Sequence, residues 1–341
     1  MSRILVILTG GTIGSIAEKN LISATGEASA QVISMYQELH GEEDTFDVVQ
    51  PYTILSENLM PSYWEKLIEE INRGIAGDYQ GIILTHGSDT LVYTASFLGM
   101  MFAHVSIPIV LVAANYPLDD ERSNGMHNFT AAVNFIKRRY VPGVYSCYRN
   151  NDDRDEVYLS TRMCESEPYF DQYHSFDGQI LGSMKGEKFV WNKNNPLSAG
   201  EIRQKAREQR SKEIKFHYEN EVMMLKTYPG INFSHIDLSS NVKAILIYMY
   251  HSATAPSIIE SGLLELLRKC QYRGIQVYGA SFKSNIGNLY ETSSMLLKNG
   301  LIPLTNISME AAYCKLVMAY NQKQYETQAF MKYNLFFEIL E

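Results

Sequence analysis

Cysteine is scarce in this chain of 341 residues, with four in all, at positions 147, 164, 270 and 314. They lie far apart, and they form neither a Cys-x-x-Cys pair nor a spacing typical of a metal site. A disulfide framework and a cysteine-based metal centre are therefore not expected. Because reduced thiols are typical of the cytosol, we predict a cytoplasmic protein with no bound metal.

Long apolar runs are absent as well. No stretch approaches the ~20 apolar residues that a membrane span requires. The first apolar run, residues 4–8, is followed at once by a glycine turn and is too short for the apolar region of a signal peptide. The sequence therefore predicts neither a membrane protein nor a secreted one.

Positive charge is in deficit, with 30 Lys and Arg against 38 Asp and Glu and a net charge of −8. A nucleic-acid partner would require a clustered positive face. The one tight basic run, residues 137–139, is interpreted as the solvated end of a helix. We therefore expect no nucleic-acid partner.

What the first half of the chain does contain is short apolar runs that alternate with helical patterns. The runs at residues 4–8, 81–85 and 107–114 are nearly continuous, as in strands that are buried on both faces. Apolar residues recur at helical spacing in residues 61–75 and 122–139. This order predicts an α/β fold in which a mainly parallel sheet is flanked by helices.

A polar stretch at residues 192–218 interrupts the alternation and is interpreted as a linker. It separates a larger N-terminal domain, residues 1–191, from a C-terminal domain, residues 219–341. Strand and helix patterns resume after the linker, so the second domain is predicted to be a smaller α/β domain. At about 150 residues per domain, the length agrees with two domains.

Two segments lie just after predicted strands, at the carboxyl ends where a parallel sheet binds its ligands. Residues 9–14 read TGGTIG, and residues 86–90 read HGSDT. The first segment lacks the spacing of a dinucleotide or phosphate loop, so no cofactor is predicted. Taken alone, the second segment has a structural interpretation, in which Ser88 or Asp89 caps the following helix and His86 is a hydrogen-bonded structural histidine.

Taken together, the two segments resemble the bacterial-type L-asparaginase family of threonine amidohydrolases, and most closely its cytosolic type I branch. Further segments carry the resemblance through most of the chain: residues 56–59 (SENL), 117–125 (PLDDERSNG), 228–230 (YPG) and 309–312 (MEAA). The resemblance implies the two-domain α/β fold, amide hydrolysis without a cofactor, and a homodimer or homotetramer.

The resemblance also implies roles for individual residues. Thr12 matches the nucleophile, while Ser88 and Asp89 match a second hydroxyl and the carboxylate that orients water and the substrate's ammonium. The backbone N–H groups of Thr12 and Ser88 match the oxyanion stabilisers. The residues implied in binding the substrate are Gly11, Ser56, Glu57, Ser88 and Asp89.

The base system of the family does not carry over intact. At the position of the family's lysine, an ungapped comparison places Glu165, and a comparison anchored on residues 170–171 places Cys164. Where the family has a flap tyrosine, the chain offers Leu21 or Ile22. The activity on asparagine is therefore open, and so is the residue that replaces the lysine.

Three functions remain at this point. The first is hydrolysis of the side-chain amide of asparagine or a related small amine, with release of ammonia. The second is a catalytically impaired protein that binds or senses an amino acid. The third is an amidotransferase component that passes ammonia to a partner. We rank it last, because the related component carries a domain ahead of its TGGT motif, which begins here at residue 9.

Overall fold

The computed structural model describes residues 2–18, 21–24, 26–138, 141–210, 212, 214–284 and 288–341. The chain divides into two compact units, Met1–Glu213 and Ile214–Glu341. The predicted linker, residues 192–218, contains a helix and spans the point of division. The predicted domain limits at residues 191 and 219 stay a prediction.

An eight-stranded sheet forms the centre of the first unit. Its strands are β1 (Arg3–Leu8), β4 (Thr45–Val49), β5 (Gly81–Thr85), β6 (Pro108–Val112), β7 (Gly143–Arg149), β8 (Asp155–Leu159), β11 (Gly182–Lys185) and β12 (Lys188–Trp191). The order is β12-β11-β8-β7-β6-β5-β1-β4. From β4 to β7 all pairs are parallel, and from β7 to β12 all are antiparallel. The predicted mainly parallel sheet is confirmed.

Two small antiparallel pairs complete the strands of this unit: β2 (Ser15–Glu18) with β3 (Leu21–Ala24), and β9 (Met163–Cys164) with β10 (His174–Ser175). The helices of the unit are α1 (Gly26–His40), α2 (Tyr63–Ala76), α3 (Leu91–Met101), α4 (Gly125–Arg138) and α5 (Ala199–Gln209). Basic residues at the end of α4 form ion pairs, Lys137 with Asp44 and Arg138 with Glu187. Residue 139 of the predicted basic run lies outside the described residues.

The core of the unit follows from the sequence patterns. β5 and β6 are buried at every residue, because helices cover both faces of a parallel sheet. The helical spacing of α2 buries Trp64, Leu67 and Ile71. The indole of Trp64 stacks on Phe97 of α3, with 4.2 Å between ring centroids. This packing fixes α3, and α3 directly follows one of the two predicted site segments.

The second unit is a smaller α/β domain, as predicted. Its four parallel strands are β13 (Glu221–Lys226), β14 (Val242–Tyr248), β15 (Gln276–Phe282) and β16 (Ile302–Thr305), adjacent in chain order. Its helices are α6 (Leu263–Tyr272), α7 (Glu291–Lys298), α8 (Met309–Tyr320) and α9 (Thr327–Lys332). Within the described residues of the whole chain, no helix is both long and apolar enough to cross a bilayer.

A fully buried ion pair fastens α8 of the second unit to the C-terminal segment. Lys315 Nζ lies 2.6 Å from Glu338 Oε1 and 2.5 Å from the carbonyl oxygen of Tyr333, and both charged side chains are 0% exposed. The Glu338 carboxylate also accepts the backbone N–H groups of Leu335 and Phe336, at 2.8 and 2.7 Å. Lys315 and these amides offset the burial of the carboxylate and hold the pKa of Glu338 below its usual value.

We expect Lys315→Met to destabilise the protein by about 3–5 kcal/mol, because the Glu338 carboxylate would remain buried without its cation. Denaturation in urea measures the loss. The control is Lys269→Met, since Lys269 and Glu265 form an exposed pair four residues apart, and exposed pairs of this kind contribute little to stability. Similar losses in the two variants would contradict the prediction.

Candidate functional site

The chain leaves β1 through a tight turn that is tied to two other segments. The Thr9 hydroxyl donates to the carbonyl oxygen of Thr85, at 2.7 Å, and so joins the ends of β1 and β5. Gly11 N–H donates to the carbonyl oxygen of Ile54 at 3.3 Å, and Ile54 N–H donates to that of Thr9 at 3.1 Å. Gly10 and Gly11 have φ angles of +97° and +78°, which glycine adopts readily.

Two glycines without side chains allow three segments to meet. A Cβ atom on Gly11 would lie 2.4 Å from the backbone nitrogen of Gly87. A Cβ atom on Gly87 would lie 2.4 Å from Cβ of Ser56. Both distances are far inside van der Waals contact. The predicted segments at residues 9–14, 56–59 and 86–90 therefore come together.

Most of the predicted site residues lie on short 3₁₀ turns at this meeting point. Thr12 begins the turn Thr12–Gly14 and is half-buried. Ser56 is buried at the start of the turn Ser56–Asn58, and Glu57 is exposed beside it. In the turn Ser88–Thr90, Ser88 is half-buried and Asp89 is exposed. The structure thus brings the Thr12, Ser56 and Ser88 turns together at the carboxyl ends of β1 and β5.

Two hydrogen bonds join the turns at residues 56 and 88. The Ser56 hydroxyl donates to Asp89 Oδ2 at 3.3 Å, and the Thr90 hydroxyl donates to the carbonyl oxygen of Ser56 at 2.9 Å. The interpretation of Ser88 or Asp89 as a helix cap is wrong. The cap residue of α3 is Thr90, and its side chain makes no capping hydrogen bond, since its hydroxyl donates to the carbonyl oxygen of Ser56.

His86 lies just before the Ser88 turn and contacts it through a hydrogen bond, and its buried environment keeps the ring neutral. Its Nδ1 lies 2.8 Å from the carbonyl oxygen of Gly87 and its Nε2 lies 2.9 Å from the Thr94 hydroxyl. The Thr94 hydroxyl in turn accepts the indole N–H of Trp64, at 3.1 Å. Burial of the ring lowers the pKa of His86 to about 4. The residue is therefore a structural histidine, as its position after a strand predicts.

We expect the stability of the protein to fall as the pH drops from 7.5 to 5.5, with a contribution of about 1 kcal/mol from His86. The unfolded chain protonates this imidazole near pH 6.5, whereas the folded chain does so only near pH 4. In that interval the unfolded state binds more protons, so acid favours unfolding. Denaturation at the two pH values measures the change. Nitrogen NMR at pH 5.5 reports the protonation of His86 in the folded protein. A protonated ring at that pH would disprove the account.

One residue that contacts the site, Tyr173, cannot be found from the sequence. The Tyr173 hydroxyl donates to the carbonyl oxygen of Ser88, at 2.6 Å. Tyr173 is 4% exposed and lies just before β10. No local motif distinguishes it among the 23 tyrosines of the chain, because its partner is 85 positions away.

The two candidates for the family's lysine position lie at the end of β9. Cys164 is buried, and its Sγ lies 3.8 Å from the carbonyl oxygen of Arg162. Glu165, the next residue, is exposed. The buried guanidinium of Arg162 pairs with Asp177, at 2.7 Å. The choice between Cys164 and Glu165 stays a prediction.

The region predicted to lack the flap tyrosine is partly outside the described residues, which omit residues 19 and 20. On either side of them β2 and β3 pair as antiparallel strands, residue 21 with residue 18 and residue 22 with residue 17. As for metals, no group of three or more His, Cys, Asp or Glu side chains in the described part of the chain is arranged to hold an ion.

The sequence matches relatives over nearly its whole length. A model of the family described as "Asparaginase, N-terminal" matches residues 3–197. A component of the glutamyl-tRNA(Gln) amidotransferase of Saccharolobus islandicus strain L.S.2.15 is 27% identical over 353 residues, covering 99% of this chain and 76% of the relative. The component of the same name from Sulfolobus acidocaldarius is 25% identical, covering 93% of this chain and 70% of the relative.

Solved structures share the fold over the whole chain. The thermostable L-asparaginase from Thermococcus kodakarensis superimposes with a TM-score of 0.77 at 21% identity, covering 99% of each chain. L-asparaginase I from Vibrio cholerae superimposes with a TM-score of 0.74 at 24% identity, covering 100% of this chain and 99% of its own. The predicted α/β fold is therefore that of the asparaginases.

Proposed function

Since this chain belongs to the asparaginase family, we propose that it hydrolyses the side-chain amide of asparagine or a related small amine, with Thr12 as the nucleophile. The observation that carries the proposal is the approach of Gly11 to Gly87. This approach brings the Thr12 turn beside Ser56 and the Ser88–Asp89 turn. A nucleophilic hydroxyl, a second hydroxyl and a carboxylate then share one site, which needs no cofactor.

The proposed reaction has two steps. Thr12 Oγ attacks the amide carbon and its proton passes to the leaving nitrogen; the carbon–nitrogen bond then breaks, ammonia departs, and an ester on Thr12 remains. Water then attacks the ester, releases the carboxylic acid and returns a proton to Thr12. The negative oxygen formed in each step is stabilised by the backbone N–H groups of Thr12 and Ser88.

The remaining residues hold the substrate. The exposed carboxylates of Asp89 and Glu57 attract an ammonium group, and Ser56 orients Asp89 through their hydrogen bond. Gly11 and Ser88 supply the backbone against which the substrate lies. The base that activates Thr12 is not His86, because both ring nitrogens are already in hydrogen bonds and burial lowers the pKa of the ring to about 4, which makes it a weak base. We propose that Glu165 or Cys164 stands where the family has its lysine.

A second candidate function is supported by the names of the relatives. The matches to the glutamyl-tRNA(Gln) amidotransferase component extend over 93–99% of this chain. In that case the same chemistry would act on a free amide, and the ammonia would pass to a partner protein. We rank it second, because the geometry of the site bears on the release of ammonia and not on its transfer to a partner.

The location and assembly of the protein are proposed with its function. The four cysteines are buried thiols, which agrees with a cytoplasmic protein. The proposed homodimer or homotetramer rests on the family resemblance. Sedimentation at micromolar concentration tests the assembly, and an active monomer would rule it out.

Ammonia release by the purified protein tests the function. The substrates are L-asparagine, L-glutamine and primary amides of small amines that lack an α-carboxylate. We expect turnover of at least one of them without any partner protein. No turnover, together with thermal stabilisation by the same compounds, would instead indicate an amino-acid-binding protein. Turnover that appears only with an added acceptor complex would favour the amidotransferase component.

A further inference from the structure

We propose that Tyr173 is a positioning residue for the reaction, and that its hydroxyl sets the orientation of the Ser88–Asp89 turn. The inference builds on the proposed function. It starts from the 2.6 Å hydrogen bond from the Tyr173 hydroxyl to the carbonyl oxygen of Ser88, a short contact for two neutral groups. Burial raises the pKa of Tyr173 well above its usual value, and the nearby Asp89 carboxylate adds to the rise. The hydroxyl therefore keeps its proton and remains a donor.

The carbonyl of Ser88 controls the geometry of its neighbour. This carbonyl and the N–H of Asp89 belong to one rigid peptide plane. A donor that fixes the oxygen therefore fixes the direction in which Asp89 leaves the turn. The Ser56 hydroxyl contacts the Asp89 carboxylate at the other end of the same residue. Asp89 is thus held through its backbone by Tyr173 and through its side chain by Ser56.

The ring of Tyr173 is held independently of its hydroxyl. Its backbone N–H donates to Asn150 Oδ1 at 3.1 Å, and its carbonyl oxygen accepts from Asn150 Nδ2 at 3.3 Å and lies 2.9 Å from the Tyr158 hydroxyl oxygen. The ring forms an edge-to-face pair with that of Tyr148, with 4.7 Å between centroids and 85° between planes. Removal of the hydroxyl would therefore leave the ring in place.

The buried carboxyl group of Glu156, on β8, binds the side chains that hold Tyr173. Glu156 Oε2 accepts from Asn150 Nδ2 at 2.6 Å and from the Tyr158 hydroxyl at 2.5 Å. Burial raises the pKa of Glu156, while these donors act in the opposite direction. Side chains at 150, 156 and 158 are thus joined by hydrogen bonds, and the Tyr173 side chain reaches from them to the Ser88 turn.

The turn itself does not depend on Tyr173 for its folding. The carbonyl oxygen of Ser88 also accepts the N–H of Leu91, where α3 begins. It keeps this partner when the tyrosine hydroxyl is removed, so no buried carbonyl is left without a hydrogen bond. Loss of the hydroxyl therefore changes the freedom of the turn and leaves its secondary structure in place.

The first test is Tyr173→Phe in the full chain, with the best substrate of the amide series. We expect kcat to fall about fivefold to tenfold while KM changes less than threefold, since the lost hydrogen bond acts on orientation in the transition state. The thermal midpoint should stay within about 3 °C of wild type. The matched control is Tyr148→Phe, whose hydroxyl interacts with Asn124 and whose kinetics should match wild type. An unchanged kcat in Tyr173→Phe would overturn the proposal.

A second measurement does not depend on activity. Hydrogen exchange of the peptide spanning residues 86–92 should be at least fivefold faster in Tyr173→Phe and unchanged in Tyr148→Phe. If exchange is faster in Tyr173→Phe but the wild-type protein releases no ammonia, the positioning contact stands and the proposed function is refuted. Normal exchange in Tyr173→Phe would refute the positioning contact, whatever the enzyme does.

Discussion

Thr12→Ala is expected to lower ammonia release by about three powers of ten or more, because removal of a nucleophile in a covalent mechanism leaves only binding and oxyanion stabilisation. The fold should persist. Thr12 is half-buried on a turn, and the turn is held by backbone hydrogen bonds of Thr9 and Gly11 and by the Thr9 hydroxyl. Steady-state ammonia release measures the effect, and circular dichroism with a thermal scan checks the fold.

The control is Thr45→Ala, an exposed threonine at the start of β4. β4 runs parallel to β1, so residue 45 lies at the opposite end of the sheet from the Thr12 turn. Thr45→Ala should keep wild-type turnover. In wild type, rapid quenching and intact-mass analysis should detect an acyl group on the protein that Thr12→Ala does not form. Turnover near the wild-type rate in Thr12→Ala would exclude Thr12 as the nucleophile.

The central strands could be predicted from the sequence because their burial is complete. The apolar runs at residues 4–8 and 81–85 coincide with β1 and β5 to within one residue at either end. Apolar patterns predict no strand at β4, which lies at the sheet edge and has exposed and half-buried positions. They also miss β7, because Ser146 and two tyrosines interrupt its apolar run although the strand is buried.

For the site, sequence motifs predict the turns and not the contacts that hold them. The glycines of TGGT and HGSD indicate close backbone approach, and the structure shows it at Gly11 and Gly87. The hydrogen bonds that hold those turns join residues far apart in the sequence, such as Trp64 with Thr94 and Tyr173 with Ser88. Such pairs leave no periodic pattern in one sequence, so the structure alone identifies them.

Gly11→Ala is expected to impair both stability and activity severely. At φ +78° an alanine is strained by about 1–2 kcal/mol. Its methyl carbon would also lie 2.4 Å from the backbone nitrogen of Gly87 and 2.5 Å from Cα of Gly87. A backbone neighbour has no rotamer with which to move away, so the Thr12 turn and the Ser88 turn must separate. A shift of about 1 Å costs on the order of a hundredfold in rate.

The matched control separates the strain of the backbone angle from the collision. Gly41, at the end of α1, has φ +84°, and a Cβ atom there would meet nothing within 4 Å. Gly41→Ala should therefore lose only about 1–2 kcal/mol of stability and keep wild-type turnover. Gly11→Ala should lose clearly more stability, in urea denaturation, and at least a hundredfold in kcat/KM. Equal losses in the two variants would show that the glycine contact does not hold the site together, and would remove the main support for the proposed function.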